Sequence, residues 1–178
     1  MTVGWFASAD QHTLHDPINV VFRRNAKADD LDHFLRFTLP YAWTLTGGRS
    51  TRTYARIDEQ SIGGAATWRQ ADLDLHCVHP SRGSWFLELG YPRFHIRIWT
   101  ASMRDPDDGW WAIGSAHHEH YVPPISHVIH SWSTPLDFLE ECIAGHPSVS
   151  AMARHPVSTP TWLQGHRFDG EALVIDLA

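Results

Sequence analysis

Cysteine is nearly missing from this 178-residue chain: only Cys77 and Cys142 occur, far apart and in no C-x-x-C arrangement. That excludes a disulfide framework and a thiolate zinc site, and makes a reducing compartment the simpler expectation. A basic excess is missing too. The formal charge is -6 with the histidines neutral; a phosphate-backbone binder needs a cationic face, so nucleic acid is not an expected partner. No run of about eighteen apolar residues occurs, and the opening M-T-V-G-W-F-A-S-A-D lacks the basic start and continuous apolar stretch of a signal peptide. A cytoplasmic protein without a membrane span is expected. Low-complexity runs are absent as well, so residues 1–178 read as a single folded domain, long enough to bury a core without staples.

Missing motifs remove several reaction classes. Neither G-x-x-x-x-G-K-[ST] nor G-x-G-x-x-G occurs, so the pairs Gly47-Gly48 and Gly63-Gly64 are punctuation rather than phosphate cradles. No G-x-S-x-G elbow is present, and Ser115 merely follows Gly114. The zinc-helix motif H-E-x-x-H is also absent. What the chain has instead is fourteen histidines and nine tryptophans. Imidazoles titrate near neutrality, so the net charge depends strongly on pH.

Periodicity gives a coarse architecture. Ile18–Phe22 is nearly continuous in apolar character and reads as a central strand covered on both faces. Asp29-Asp30 reads as the cap of a helix whose stripe is Leu31, Phe34, Leu35 and Leu39, stopped by Pro40, with His33 at its surface. Strands are expected at Thr51–Ile57, around Leu73 and Leu75, at Ser84–Leu89 and at Ala172–Leu177. Thr134-Pro135 opens a second helix with Leu136, Leu139 and Ile143 buried, Cys142 in its core-facing set and Gly145 at its end. Val149–Met152 shows no clear pattern. The fold class expected is α+β, a mixed, largely antiparallel sheet with two main helices packed on one side.

The stretch from Arg93 to His130 carries the chemistry. Phe94, Ile96 and Ile98 alternate with Arg93, His95 and Arg97, so one strand face is apolar and the other cationic. Asp105-Pro106-Asp107-Asp108-Gly109 has the composition of a tight reversal, and W-W-A-I-G-S-A-H-H-E-H-Y returns as the second arm of a hairpin. A turn centred on Asp107 brings His95 opposite roughly position 118.

The chain resembles the LssY C-terminal domain family of bacteria. The resemblance rests on D-P-I-N-V-V-F at 16–22, H-I-R-I-W at 95–99, W-A-I-G at 111–114, S-H-V-I at 126–129 and F-D-G-E-A-L-V-I-D-L at 168–177. In that family the domain often follows membrane-embedded segments, some similar to lipid-phosphate phosphatases, so the resemblance implies lipid or phosphate chemistry. No such segment occurs in these residues. The family pattern carries an Asp where Glu119 stands and another near His130; the first departure keeps a carboxylate and the second exchanges it for an imidazole. The family supplies no catalytic residues to carry over.

The site is therefore read from the residues. His118 and His120 share a strand face and, with His127 on the next segment, form a candidate set for a divalent metal such as zinc, iron or manganese. Glu119 is a candidate water-activating base, although alternation turns it away from His118 unless a bulge intervenes. Without metal, Arg97 holds an anion beside His95, and Glu119, His118 or His130 completes the acid/base pair. The leading expectation is a hydrolase of a small phosphate- or carboxylate-bearing substrate. Two others stand beside it: a non-catalytic ligand-binding or homodimeric domain contacting its partner through Trp99, Trp110 and Trp111, and a cofactor-free acid/base enzyme for an aromatic metabolite. A solvated face of an amphipathic strand would explain Arg93, His95 and Arg97 with no function at all.

Overall fold

The computed structural model describes residues 5–8, 17–24, 27–39, 54–59, 64–68, 73–77, 92–105, 109–122, 126–157 and 168–178. In chain order the elements are β1 (Trp5–Ser8), β2 (Val20–Arg23), α1 (Ala28–Thr38), β3 (Tyr54–Glu59), β4 (Gly64–Trp68) and β5 (Leu73–Cys77). They continue with β6 (Pro92–Asp105), β7 (Gly109–Val122), β8 (Ser126–Ser131), α2 (Thr134–Ile143), β9 (Val149–Pro156) and β10 (Glu171–Leu177). The strand read at Ser84–Leu89 lies outside the described residues. One small antiparallel sheet has the order β1-β3-β4; the large one runs β5-β6-β7-β2-β10-β9, with β8 also paired to β7. Only the β2–β10 pairing is parallel among those of the large sheet. This is the expected α+β arrangement.

The β6–β7 hairpin is the spine of the large sheet, with fourteen residues in each arm. Phe94, Ile96 and Ile98 of β6 and Ala112 and Ala116 of β7 are buried in one core with Leu31, Phe34 and Leu35 of α1 and Leu136, Phe138, Leu139 and Ile143 of α2. Period-2 strands and 3.6-period helices present their apolar residues to this one layer. The other face of the sheet is also buried. Trp99, Ile113, Val21 and Val174 lie there at 3% exposure or less, so β2 is covered on both sides, as its uninterrupted apolar run requires.

Helix ends follow local chemistry, with one correction. The N-cap of α1 is Lys27, with no side-chain cap; Asp29 and Asp30 instead occupy the first turn, where carboxylates oppose the positive end of the dipole. The helix ends at Leu39, immediately before Pro40, whose ring disfavours helical backbone in the residue ahead of it. In α2, the Ser131 hydroxyl accepts the N–H groups of Ser133 and Thr134, both at 3.1 Å. Cys142 is half-buried beside the core and Cys77 fully buried in it. Burial pushes both thiols up, which keeps them protonated and inert.

β2 and β8 share one edge of β7, end to end. β2 pairs with Ala112–Gly114, and β8 with His118–Val122. Asn19, wholly buried just before β2, fills the gap between them. Its Nδ2 donates to the carbonyls of Ala116 (2.8 Å) and Trp132 (2.9 Å), while its Oδ1 accepts the Ala116 N–H at 2.7 Å. The carboxamide thus takes the place of a peptide unit in the ladder, and both polar groups of Ala116 find a partner.

Candidate metal centre

The register of the hairpin decides which polar residues meet. His95 pairs with His117, Arg93 with Glu119, Arg97 with Ser115 and Phe94 with His118. Directly paired residues project to the same face. The odd-numbered side chains therefore gather on the face away from the helices, and His118 and His120 fall on the helix side. A register irregularity between Thr100 and Arg104 shifts the pairing by two residues. The register at the turn would set His95 opposite Glu119, and the shift sets it opposite His117.

His95, His117 and Glu119 are 5%, 4% and 1% exposed. His117 Nε2 lies 3.2 Å from His95 Nδ1 and 3.0 Å from Glu119 Oε2, and His95 Nδ1 is 3.8 Å from Glu119 Oε1. Ligand atoms bonded at about 2.0–2.1 Å around a tetrahedral ion stand about 3.3 Å apart; both contacts of His117 Nε2 are close to that, and one ligand atom from each of the three residues lies within 4.8 Å of the others. A ring nitrogen carries either a proton or a lone pair, so in the metal-free group His117 Nε2 donates its proton to Glu119, and around a cation the same three residues would offer lone pairs instead. The group could hold a metal ion.

Arg93 fixes the carboxylate. Its Nε and Nη2 lie 2.9 and 2.8 Å from Glu119 Oε1, leaving Oε2 turned to His117. This is the outer-shell arrangement that orients a ligating carboxylate. Burial pushes the Glu119 carboxyl up, but hydrogen bonds from His117 and His95 and the charge of those rings outweigh it and hold the group far below the usual carboxylate range. Glu119 is an anion here, suited to ligate or to pair rather than to donate a proton.

One register pair further along, half-buried Arg97 and buried Ser115 share the same face. Among the described residues the Ser115 hydroxyl has no hydrogen-bond partner. The paired row continues in register to His76 of β5 on the far side of His95.

The sequence-predicted residues thus divide between two faces. His95, Arg97 and Glu119 come together, joined by His117 and Arg93, to which no role was assigned; the alternation 93, 95, 97 against 115, 117, 119 is the signal that could have found them. His118, His120 and His130 gather on the helix side. There the His118 ring sits 5.2 Å from Phe94, itself stacked on Phe138, and 5.4 Å from the His130 ring. The His127 side chain lies outside the described residues, as do those of Trp110 and Trp111. Among the described residues no helix is long and apolar enough to cross a membrane. No family model matches this chain, and neither a curated protein nor a solved structure matches it.

Proposed function

We propose that the protein is a metal-dependent hydrolase of a small anionic substrate, built on His95, His117 and Glu119. The observation that carries this reading is the convergence of two imidazole nitrogens and one carboxylate, all buried, with their ligand atoms within 4.8 Å of one another. Two histidines and a glutamate are a donor set used by catalytic zinc and by non-haem iron, with further positions left for water and substrate. A divalent ion bound there, zinc, iron or manganese, would polarise a phosphoryl or carbonyl oxygen and lower the pKa of bound water to about 7.

The chain's own groups supply the rest. The Arg97 guanidinium, on the same face, offers a planar fork to a phosphate or carboxylate, and the Ser115 hydroxyl across from it adds a neutral donor. Arg93 holds Glu119 in its ligating orientation. The resemblance to a family linked with lipid and phosphate chemistry favours phosphate over carboxylate as the anion, and the absence of cysteine motifs favours a reducing, cytoplasmic setting.

Elemental analysis of the purified full chain, paired with assays on phosphate mono- and diesters, tests the reading. At least one zinc, iron or manganese per chain, with one ion lost together with turnover in Glu119→Gln, is the expected result. A chain that stays free of metal after incubation with each ion, or a Glu119→Gln variant that hydrolyses as well as the parent, overturns it.

A further inference from the structure

The helix-side histidines form a second, independent cluster, and a bulge is what builds it. In β8 the pairing sums change between His118 and Glu119: Ile129 opposes Glu119, Ser131 opposes His118, and His130 is the extra residue between them. Bulges re-aim a side chain out of the ladder's alternation. Here the His130 ring is carried to His120, Nε2 meeting Nδ1. The ring centroids are 4.6 Å apart and the planes are within 19° of each other. Parallel planes alone suggest a face stack, but in a stack the in-plane lone pairs of the two rings never meet. With the nitrogens in direct contact, the rings must lie edge to edge, one nitrogen aimed at the other. Two lone pairs so aligned share one proton as they stand, and small rotations that part the nitrogens and turn both lone pairs to a common centre make room for a metal ion bonded at about 2.0–2.1 Å.

We infer that His120 and His130, with His118 beside them, bind one borderline divalent transition-metal ion, of the zinc, copper or nickel class. The donors are imidazoles, which select these ions over magnesium or calcium. All three rings are half-buried rather than sealed, so an ion and its remaining water ligands can reach them. His118 stands 5.4 Å from His130 by ring centres, within reach of a third bond after a side-chain rotation. The Glu119 carboxylate, between His118 and His120 in sequence, belongs to the opposite face, so the two sites share a strand and no ligand. An ion that joins β7 to β8 binds the folded chain alone and raises its melting temperature.

The test uses the full metal-stripped chain titrated with zinc, and with copper followed by electron paramagnetic resonance. In a Glu119→Ala background, which removes the His95 centre, zinc binding is expected to remain and to weaken at least tenfold on adding His130→Gln or His120→Gln, with nitrogen hyperfine structure from the copper that disappears on the same two changes. Circular dichroism of each variant separates lost binding from lost folding, and nitrogen-15 spectra of the parent locate the ion on the His120 and His130 rings. Unchanged zinc and copper binding in both histidine variants, or a parent in which those two rings share only a proton and do not respond to metal, overturns the inference. Loss of metal in Glu119→Ala with retention in His130→Gln would leave the His95 centre standing and remove this one.

Discussion

His95 Nδ1 and His117 Nε2 lie 3.2 Å apart across the β6–β7 pairing, both rings buried and nearly perpendicular at 83°. Replacing His117 with Ala removes the atom common to both short contacts of the cluster. The expected result is a drop in metal affinity of at least a hundredfold and loss of turnover, with the far-ultraviolet spectrum retained, because the hairpin's apolar face is untouched. Metal content and circular dichroism on one sample check both halves.

Arg93 is predicted to matter through Glu119 alone. Arg93→Met leaves a carboxylate that is 1% exposed without its guanidinium, and stripping one partner from a buried pair costs about 3 kcal/mol. Arg93→Lys restores the charge but not the fork, so a partial loss is expected. Urea melts of the metal-free protein would read the difference, and equal stability of Met and parent would contradict the assignment. Added metal should narrow the gap, since the ion supplies positive charge to the same carboxylate.

The sign of the acid dependence follows from Glu119. Its folded pKa lies far below the value of 4.5 for an unperturbed glutamate, so on acidification the unfolded chain takes up the proton first. Stability from this group is present above about pH 4.5 and is lost as pH falls below it. Glu119→Gln should flatten the acid limb of the stability profile. An acid limb of the same depth in both proteins would show that other carboxylates set it.

Gly114 is predicted to be a tight position. A Cβ there would lie 3.1 Å from the backbone oxygen of Arg97, which is held in the paired strand, and 3.3 Å from the buried side chain of Ile98 at Cγ1, so both must give by a few tenths of an ångström. Gly114→Ala should destabilise by about 1–3 kcal/mol, an overpacking cost. Gly145, with φ +76° and nothing near its Cβ position, should lose only about 1 kcal/mol on the same change, from backbone strain alone. Thermal melts of the two variants compare them directly.

Much of the layout was legible because it is written in periodicity. The Leu31, Phe34, Leu35 and Leu39 stripe, the Thr134-Pro135 helix start, the β2 run and the two-residue alternation at Phe94–Ile98 each name their own buried face. Which face of β7 carries the site was not legible in that way. A register slip of one residue exchanges the faces, so a turn centre placed only to within one position does not say whether His95 meets an odd or an even residue, and the two-residue shift between Thr100 and Arg104 then sets it opposite His117 rather than Glu119. Glu119 and His117 share that face by alternation, and His118 and His120 lie on the other. Strand β9 was missed for a different reason: it lies at the sheet edge, and its residues are exposed or half-buried, so no apolar pattern marks it. His130 gave no sign of its contact with His120, since a bulge depends on pairing and not on composition.

The Asn19 carboxamide has a consequence for how this protein is made. Its side-chain partners lie 97 and 113 residues further along the chain, and its own carbonyl accepts the N–H of Leu173. The β7 edge can therefore close once Trp132 has left the ribosome, whereas the far edge of β2 stays open until β10 has been synthesised. Contacts of such long sequence separation close slowly, so the parallel β2–β10 pair is a late event in the folding of the nascent chain.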